Sequence, residues 1–344
     1  MKKIISIVCL IFVLASYIYI YNKKENLSPY LLVTFVDTQL NNHYYKYNIK
    51  SKENDLLNKR PMTDYPTSIQ TKNKKFLYYT SRENSKYTQL YELNLKTNKS
   101  RKLTSDFASV DYLRVDEKSE KIYMRVSLRG NHRNFTVATY DTKTDKIDIF
   151  NPEEEDLSIK SFDVNNSTGE VLAVVFSSKQ DYENVDKANK NQTPLEVAPQ
   201  VAPHYLKLIN LSTNKSKTLC TLNKDVLDVS IYSNGNKALF TANDNHDLIS
   251  YGQRKIYLLD IKTQRYNPII KDSSNYMDIS SPNFSIDGNG FYYIATNFNC
   301  EPISDTTGIT IYPKVILYYD FSTKDSKEVW FKTNGNIRNF VVLR

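Results

Sequence analysis

The chain has 344 residues, 40% of them apolar and 24% charged, which is enough for a packed core under a wet surface and too apolar for a disordered segment. Its formal net charge of +8 is spread with no block of five like charges, which argues for a solvated basic surface and against a nucleic-acid partner. Three scattered cysteines without a Cys-x-x-Cys exclude a disulfide framework, and whether Cys220 and Cys300 pair depends on a distance that sequence does not carry.

Residues 1–30 read as a segment of their own. Met1-Lys2-Lys3 precedes eighteen uncharged residues, Ile4 to Tyr21, and Lys23-Lys24-Glu25 closes the run. As a helix, such a stretch just spans the ~30 Å of a bilayer's hydrocarbon. The alternative is a signal peptide cleaved after Val13-Leu14-Ala15, but the apolar run continues past Ala15, which favours an uncleaved anchor. Cys9 lacks the flanking residues of a lipoprotein cysteine. Either route places residues 31–344 outside the cell, as a single-pass membrane protein or a secreted one.

From Leu31 onward one phrase recurs six times: a few strand-forming residues, Asn or Asp, any residue, Lys or Ser, then Ser or Thr. Its polar cores are Asn48-Ile49-Lys50-Ser51, Asn94-Leu95-Lys96-Thr97, Asp141-Thr142-Lys143-Thr144, Asn210-Leu211-Ser212-Thr213, Asp260-Ile261-Lys262-Thr263 and Asp320-Phe321-Ser322-Thr323. Short polar side chains at the end of a strand bond back to the main chain, so each phrase predicts a turn rather than an active site. Upstream of each phrase lies an apolar strand, such as Lys75–Thr80 or Val171–Phe176, and before most of these a shorter segment such as Val110–Val115. Downstream comes a Lys-rich turn and a short strand. Each unit is therefore four antiparallel strands, a to d, and units of this kind at a period of 46 to 69 residues predict a six-bladed all-β propeller.

The expected blades are 31–59 with 336–344, then 66–104, 110–150, 159–222, 226–270 and 278–331. The first unit lacks strand a and the last stretch supplies only that strand, so the ring should close between the chain ends and leave no free edge. The stretch Leu90–Thr104, with its apolar strand, amide turn, basic residues and Leu-Thr, resembles the TolB-like propeller repeat. That resemblance implies a six-bladed propeller, used elsewhere as a binding platform, a scaffold or a gating domain. This chain departs from the pattern in having only 8 glycines, no TolB-type N-terminal domain and no hydrolase domain after the propeller.

In a meander of this kind the a-to-b and c-to-d turns share one end, and the b-to-c and d-to-a loops the other. The long insertions, Ser177–His204, Asn243–Arg254 and Asn297–Lys314, all fall on the second end, which is expected to be the binding face. The first of them, polar and holding Pro194, Pro199 and Pro203, reads as too hydrophilic to pack. Lysines gather in the c-to-d turns, so the other end is expected to face anionic lipid across a linker reaching at most ~30 Å.

All four histidines, His43, His132, His204 and His246, are expected in b-to-c loops. With Arg133 and Asp247, the histidines His132, His204 and His246 are the candidate ligand-binding residues. Their spacing fits no metal motif, and no nucleophile elbow or phosphate loop occurs, so neither metal nor cofactor is expected. Ser285–Gly290 lacks the carboxylates of a calcium loop and predicts a hairpin turn. The resulting expectation is a monomeric, non-enzymatic propeller that holds a protein, peptide or glycan on its looped face. The alternative is a propeller hydrolase or lyase with carboxylates converging at the same mouth.

Overall fold

The structure, a computed structural model, describes residues 28–63, 66–83, 85–116, 118–130, 134–150, 156–190, 200–243 and 253–344. Six four-stranded antiparallel sheets follow one another along the chain. In order a to d, blade 2 is Ser68–Gln70, Phe76–Ser81, Gln89–Asn94 and Lys99–Lys102, and blade 3 is Phe107–Asp116, Lys121–Leu128, Phe135–Asp141 and Ile147–Ile149. Blade 4 is Leu157–Val164, Val171–Ser177, His204–Asn210 and Lys215–Leu222. Blade 5 is Asp225–Ile231, Lys237–Asn243, Arg254–Asp260 and Arg265–Lys271, and blade 6 is Tyr276–Phe284, Gly290–Asn297, Lys314–Asp320 and Ser326–Phe331. Blade 1 joins Gly335–Leu343 as strand a to Tyr30–Asp37, Asn41–Asn48 and Asn54–Pro61, with Tyr30 opposite Leu343. The six-bladed ring closed by its ends is thus as the repeat predicts.

The core is a set of slabs between neighbouring blades rather than one centre. Tyr44 of blade 1 packs on Tyr79 of blade 2, Tyr112 of blade 3 on Phe162 of blade 4, and Phe35 of blade 1 on Trp330 of blade 6. Sheets stacked face to face bury both faces of strand b, which is why Tyr30–Asp37 and Gly290–Asn297 are buried at every residue. Strand d lies on the rim, and Lys99–Lys102 is exposed throughout.

Each repeated phrase builds the same c-to-d turn. The Asn48 side-chain oxygen accepts the N–H groups of Lys50 and Ser51, and the equivalents at Asn94, Asp141, Asn210 and Asp320 each accept two. Four residues after the Asn or Asp the chain turns left-handed, with φ of 62° at Lys52, 54° at Asn98, 57° at Asp145, 54° at Asn214, 57° at Gln264 and 59° at Lys324. A Cβ is disfavoured there, yet none of the six is glycine. Asn94→Ala is expected to lower stability by about 1 kcal/mol, and Lys52→Gly to raise it by about 0.5 kcal/mol. Opposite shifts of the melting temperature would register both.

On the looped end, two insertions contain secondary structure among the described residues. After its strand b, blade 4 carries a helix, α1 (Ser178–Lys190), which buries only Ser178, so the segment is helical yet as unpacked as its polarity suggests. Ser177 caps it by accepting the Gln180 N–H, and Asp156 accepts the N–H of Lys179. The blade 6 insertion forms a small hairpin, Ile303–Ser304 with Thr310–Ile311, and donates its Thr306 N–H to Thr38 of blade 1 across the closure.

Beside that seam, Asp37 accepts N–H groups from Gln39 and Asn41 and meets His43 Nε2 at 2.8 Å. Burial alone would raise its carboxyl, but the hydrogen bonds from Asn41 and His43 outweigh it and hold the group at about 2. A depressed carboxylate stabilises the fold above its unfolded value near 4, and that contribution is lost as the pH falls from about 4 towards 2. Wild type is therefore expected to exceed Asp37→Asn by about 2 kcal/mol at pH 5 and to converge with it near pH 2 in thermal melts.

Candidate binding site at the channel mouth

The innermost strands line a central channel, and five of the six are irregular. The pairing of strand a with strand b slips in blades 1, 3, 4, 5 and 6, leaving out Arg338, Tyr112 with Leu113, Lys160, Leu227, and Asp278 with Ile279, among others. Such bulges re-aim side chains and are typical of sites. Within these strands Tyr112, Asp278 and Ser281 have φ of 52°, 53° and 53°, a costly conformation for residues with a Cβ.

The bulges open onto a cavity of about 600 Å3 at the looped end, lined among others by Asp111, Arg125, Asp228, Lys314 and Arg338. Lys314 is the first residue after the blade 6 insertion, which fixes the end to which the cavity belongs. Arg125 grips Asp111 with two bonds, Nε to Oδ1 at 2.6 Å and Nη2 to Oδ2 at 2.8 Å. Its guanidinium also bonds the Lys160 carbonyl and lies 4.6 Å from the Phe135 ring centroid. Asp228 accepts the Ser281 N–H at 3.0 Å, tying blade 5 to the bulge of blade 6. Tyr112 forms part of the wall, its ring covered by the Arg114 guanidinium at 4.4 Å, and burial raises its hydroxyl. Arg114 in turn pairs with Asp163 at 3.3 Å, in a second cavity of about 310 Å3 at the turn end of the channel.

Of the expected ligand-binding residues, His132, Arg133, His246 and Asp247 lie outside the described residues. His204 is described, but as the first residue of strand c in blade 4 and not in a loop. It is buried against Phe176 and lines a neighbouring cavity of about 270 Å3 with Lys160, Asp181 and Asp225. Burial, and then the Lys160 charge, lower its imidazole to about 4. His43 likewise sits inside a strand, because its ring is needed by Asp37. Among the described residues no three His, Cys, Asp or Glu side chains come together as a metal site, and Cys220 and Cys300 are free thiols. The mouth residues Asp111, Arg125, Asp228, Lys314 and Arg338 were not singled out by the sequence, where each looks like an ordinary polar position of a strand.

No protein-family profile matches the chain. It is 28% identical over 323 residues to the uncharacterized protein YdjN of Bacillus subtilis (strain 168), covering 91% of this chain and 87% of that one. Among solved structures it superposes on TolB from Acinetobacter baumannii with a TM-score of 0.61 at 12% identity, over 92% of this chain and 67% of that one. The fold is that of the TolB-like propellers. A putative TolB from Agrobacterium tumefaciens matches over 90% of this chain and 91% of its own, with a TM-score of 0.58 at 9% identity. A propeller in a nidogen/laminin complex matches 91% of this chain and 98% of its own, with a TM-score of 0.56 at 9% identity.

At these identities the likeness to solved structures is one of fold. The expected leader lies outside the described residues, among which no helix is long and apolar enough to cross a membrane.

Proposed function

We propose that this TolB-like propeller is a membrane-anchored binding protein displayed outside the cell, recognising a protein, peptide or glycan through its looped end. The observation that carries the reading is the charged cavity of about 600 Å3 at the end that bears the insertions. The opposite end suits attachment. The chain enters there, since Tyr30 at the start of strand b pairs with Asn48 beside a c-to-d turn. That end also presents at least one exposed lysine per blade at those turns, among them Lys50, Lys96, Lys143, Lys215, Lys262 and Lys324. The nidogen/laminin propeller supports protein binding as a use of this architecture.

A hydrolase or lyase is the second reading, favoured by one observation: Asp111 and Asp228 line the same cavity. Asp111 is committed to Arg125 by two short bonds, which leaves Asp228 without a second free carboxylate and weighs against acid–base chemistry.

The test is a pull-down from solubilised membranes with the full chain and with a variant in which an Asn-Gly turn replaces residues 178–203. Loss or change of captured partners in the variant supports recognition at the looped end. An unchanged set counts against α1 and its loop as the recognition element, and partners captured equally by a mouth variant of reversed charge, Arg338→Glu, would sink the reading.

A further inference from the structure

The mouth holds two cations that no carboxylate among the described residues pairs with directly. Arg125 is paired with Asp111, Arg114 with Asp163, Lys160 with Asp225 and Arg254 with Asp278. Among the described residues Lys314 and Arg338 form no ion pair, although both line the mouth. Lys314 is half-buried at the start of strand c of blade 6, and Arg338, the bulged residue of the closing strand, is exposed at the lining of the mouth. Burial first, and then the Arg338 charge beside it, lower the Lys314 ammonium, while Asp278 and Asp228 pull the other way. None of these carboxylates pairs with the two directly: Asp278 holds Arg254, Asp228 accepts a backbone N–H, and Asp305, whose charge acts on Arg338, accepts the N–H groups of Thr307 and Ile309. Two like charges held side by side at the mouth of a cavity, one of them half-buried, are stabilised by an anion from outside.

We propose that the mouth captures an acidic peptide segment by its carboxylates, with Lys314 and Arg338 as the groups that hold it. This rests on the binding reading above. A peptide is favoured over an acidic sugar because the mouth has aliphatic walls, Met62, Pro66 and Ile337, and among the described residues lining it no open aromatic face on which a sugar ring could stack. Tyr112 is the aromatic residue lining it, and Arg114 and Phe162 cover its ring. The overall net charge of +8 adds long-range attraction for such a segment.

The experiment uses the full chain in neutral detergent and fluorescence anisotropy of a labelled hexapeptide of alternating Glu and Ala, beside its Gln counterpart. The Glu peptide is expected to bind at least about tenfold more tightly than the Gln peptide, with an affinity that falls as salt is raised. Lys314→Gln and Arg338→Gln are each expected to weaken it about tenfold, and Lys314→Arg to keep most of it. The comparison of the two peptides on the unaltered protein stands even if a variant fails to fold. Equal affinity for both peptides, folded Gln variants that bind as wild type, or binding of an oligouronate with no binding of the Glu peptide would each overturn the proposal. If the acidic peptide fails while partner capture still depends on the looped end, carboxylate recognition falls and the binding reading stands. If capture fails as well, both fall.

Discussion

Gly335→Ala is expected to open the ring, with a loss of about 3 kcal/mol or more of stability. Gly335 starts the closing strand and lies opposite Asp37 of strand b in blade 1. A Cβ built on it would sit 2.1 Å from the Val36 carbonyl oxygen and 2.8 Å from the Asp37 Cα, both backbone atoms of a fully buried strand. No rotamer relieves such a clash, so the strand itself must move. Moving it removes the Thr38 N–H bond to the Asn334 carbonyl at 3.1 Å and disturbs the pocket that seats Asp37. A chain with only 8 glycines keeps one here for want of space, since the φ of Gly335 is not left-handed. Urea unfolding followed by tyrosine fluorescence would measure the loss, and size-exclusion chromatography would report the self-association expected of an unpaired strand b. An unchanged midpoint would mean that the seam tolerates a shifted strand.

Arg125→Met is the second large effect, expected to cost roughly 2–4 kcal/mol by stranding Asp111 in the channel wall. The Arg125 and Asp111 side chains are only 21% and 10% exposed, so the carboxylate left behind gains little from water. It would also face Asp228 across the same cavity without the intervening cation. Arg125 further supports the blade 4 bulge through the Lys160 carbonyl and covers the Phe135 ring, so its loss loosens blade 4 as well as blade 3. Asp111→Asn should cost less, because the amide still accepts one bond. A double-mutant cycle in chemical denaturation is expected to give a coupling of at least about 1 kcal/mol. Purely additive losses would show that the pair does not act as a unit.

The six phrases foretold the turns because turn chemistry is local: an Asn or Asp and the N–H groups two and three residues on are all it needs. Blade limits and ring closure followed from the same phrases, since strand order is set by counting units. The mouth could not be read this way. Arg338, Tyr112 and Lys160 owe their direction to slips in pairing with strand b, and a slip depends on the partner strand rather than on the residue's own neighbours. The helix after strand b of blade 4 did leave a signal. Ser177 and Gln180 stand at the spacing of a capping box, ahead of Asp181 in the first turn and Lys187 and Lys190 in the last, and the prolines beyond drew attention away from it. The placement of histidines in loops went astray because strands c in blades 1 and 4 begin earlier than the polar residues suggest, His43 being held by Asp37 and His204 by Phe176.

The pairing of Tyr30 with Leu343 also sets a timetable for biogenesis. Synthesis runs from the N-terminus, so the first strand to emerge, buried at all eight residues in the finished ring, waits for the last strand to be made. Until Gly335–Leu343 is released, that strand presents an apolar edge to every neighbouring chain. Nonsense truncation before Gly335 would therefore leave strand b of blade 1 unpaired and drive aggregation, out of proportion to the few residues removed.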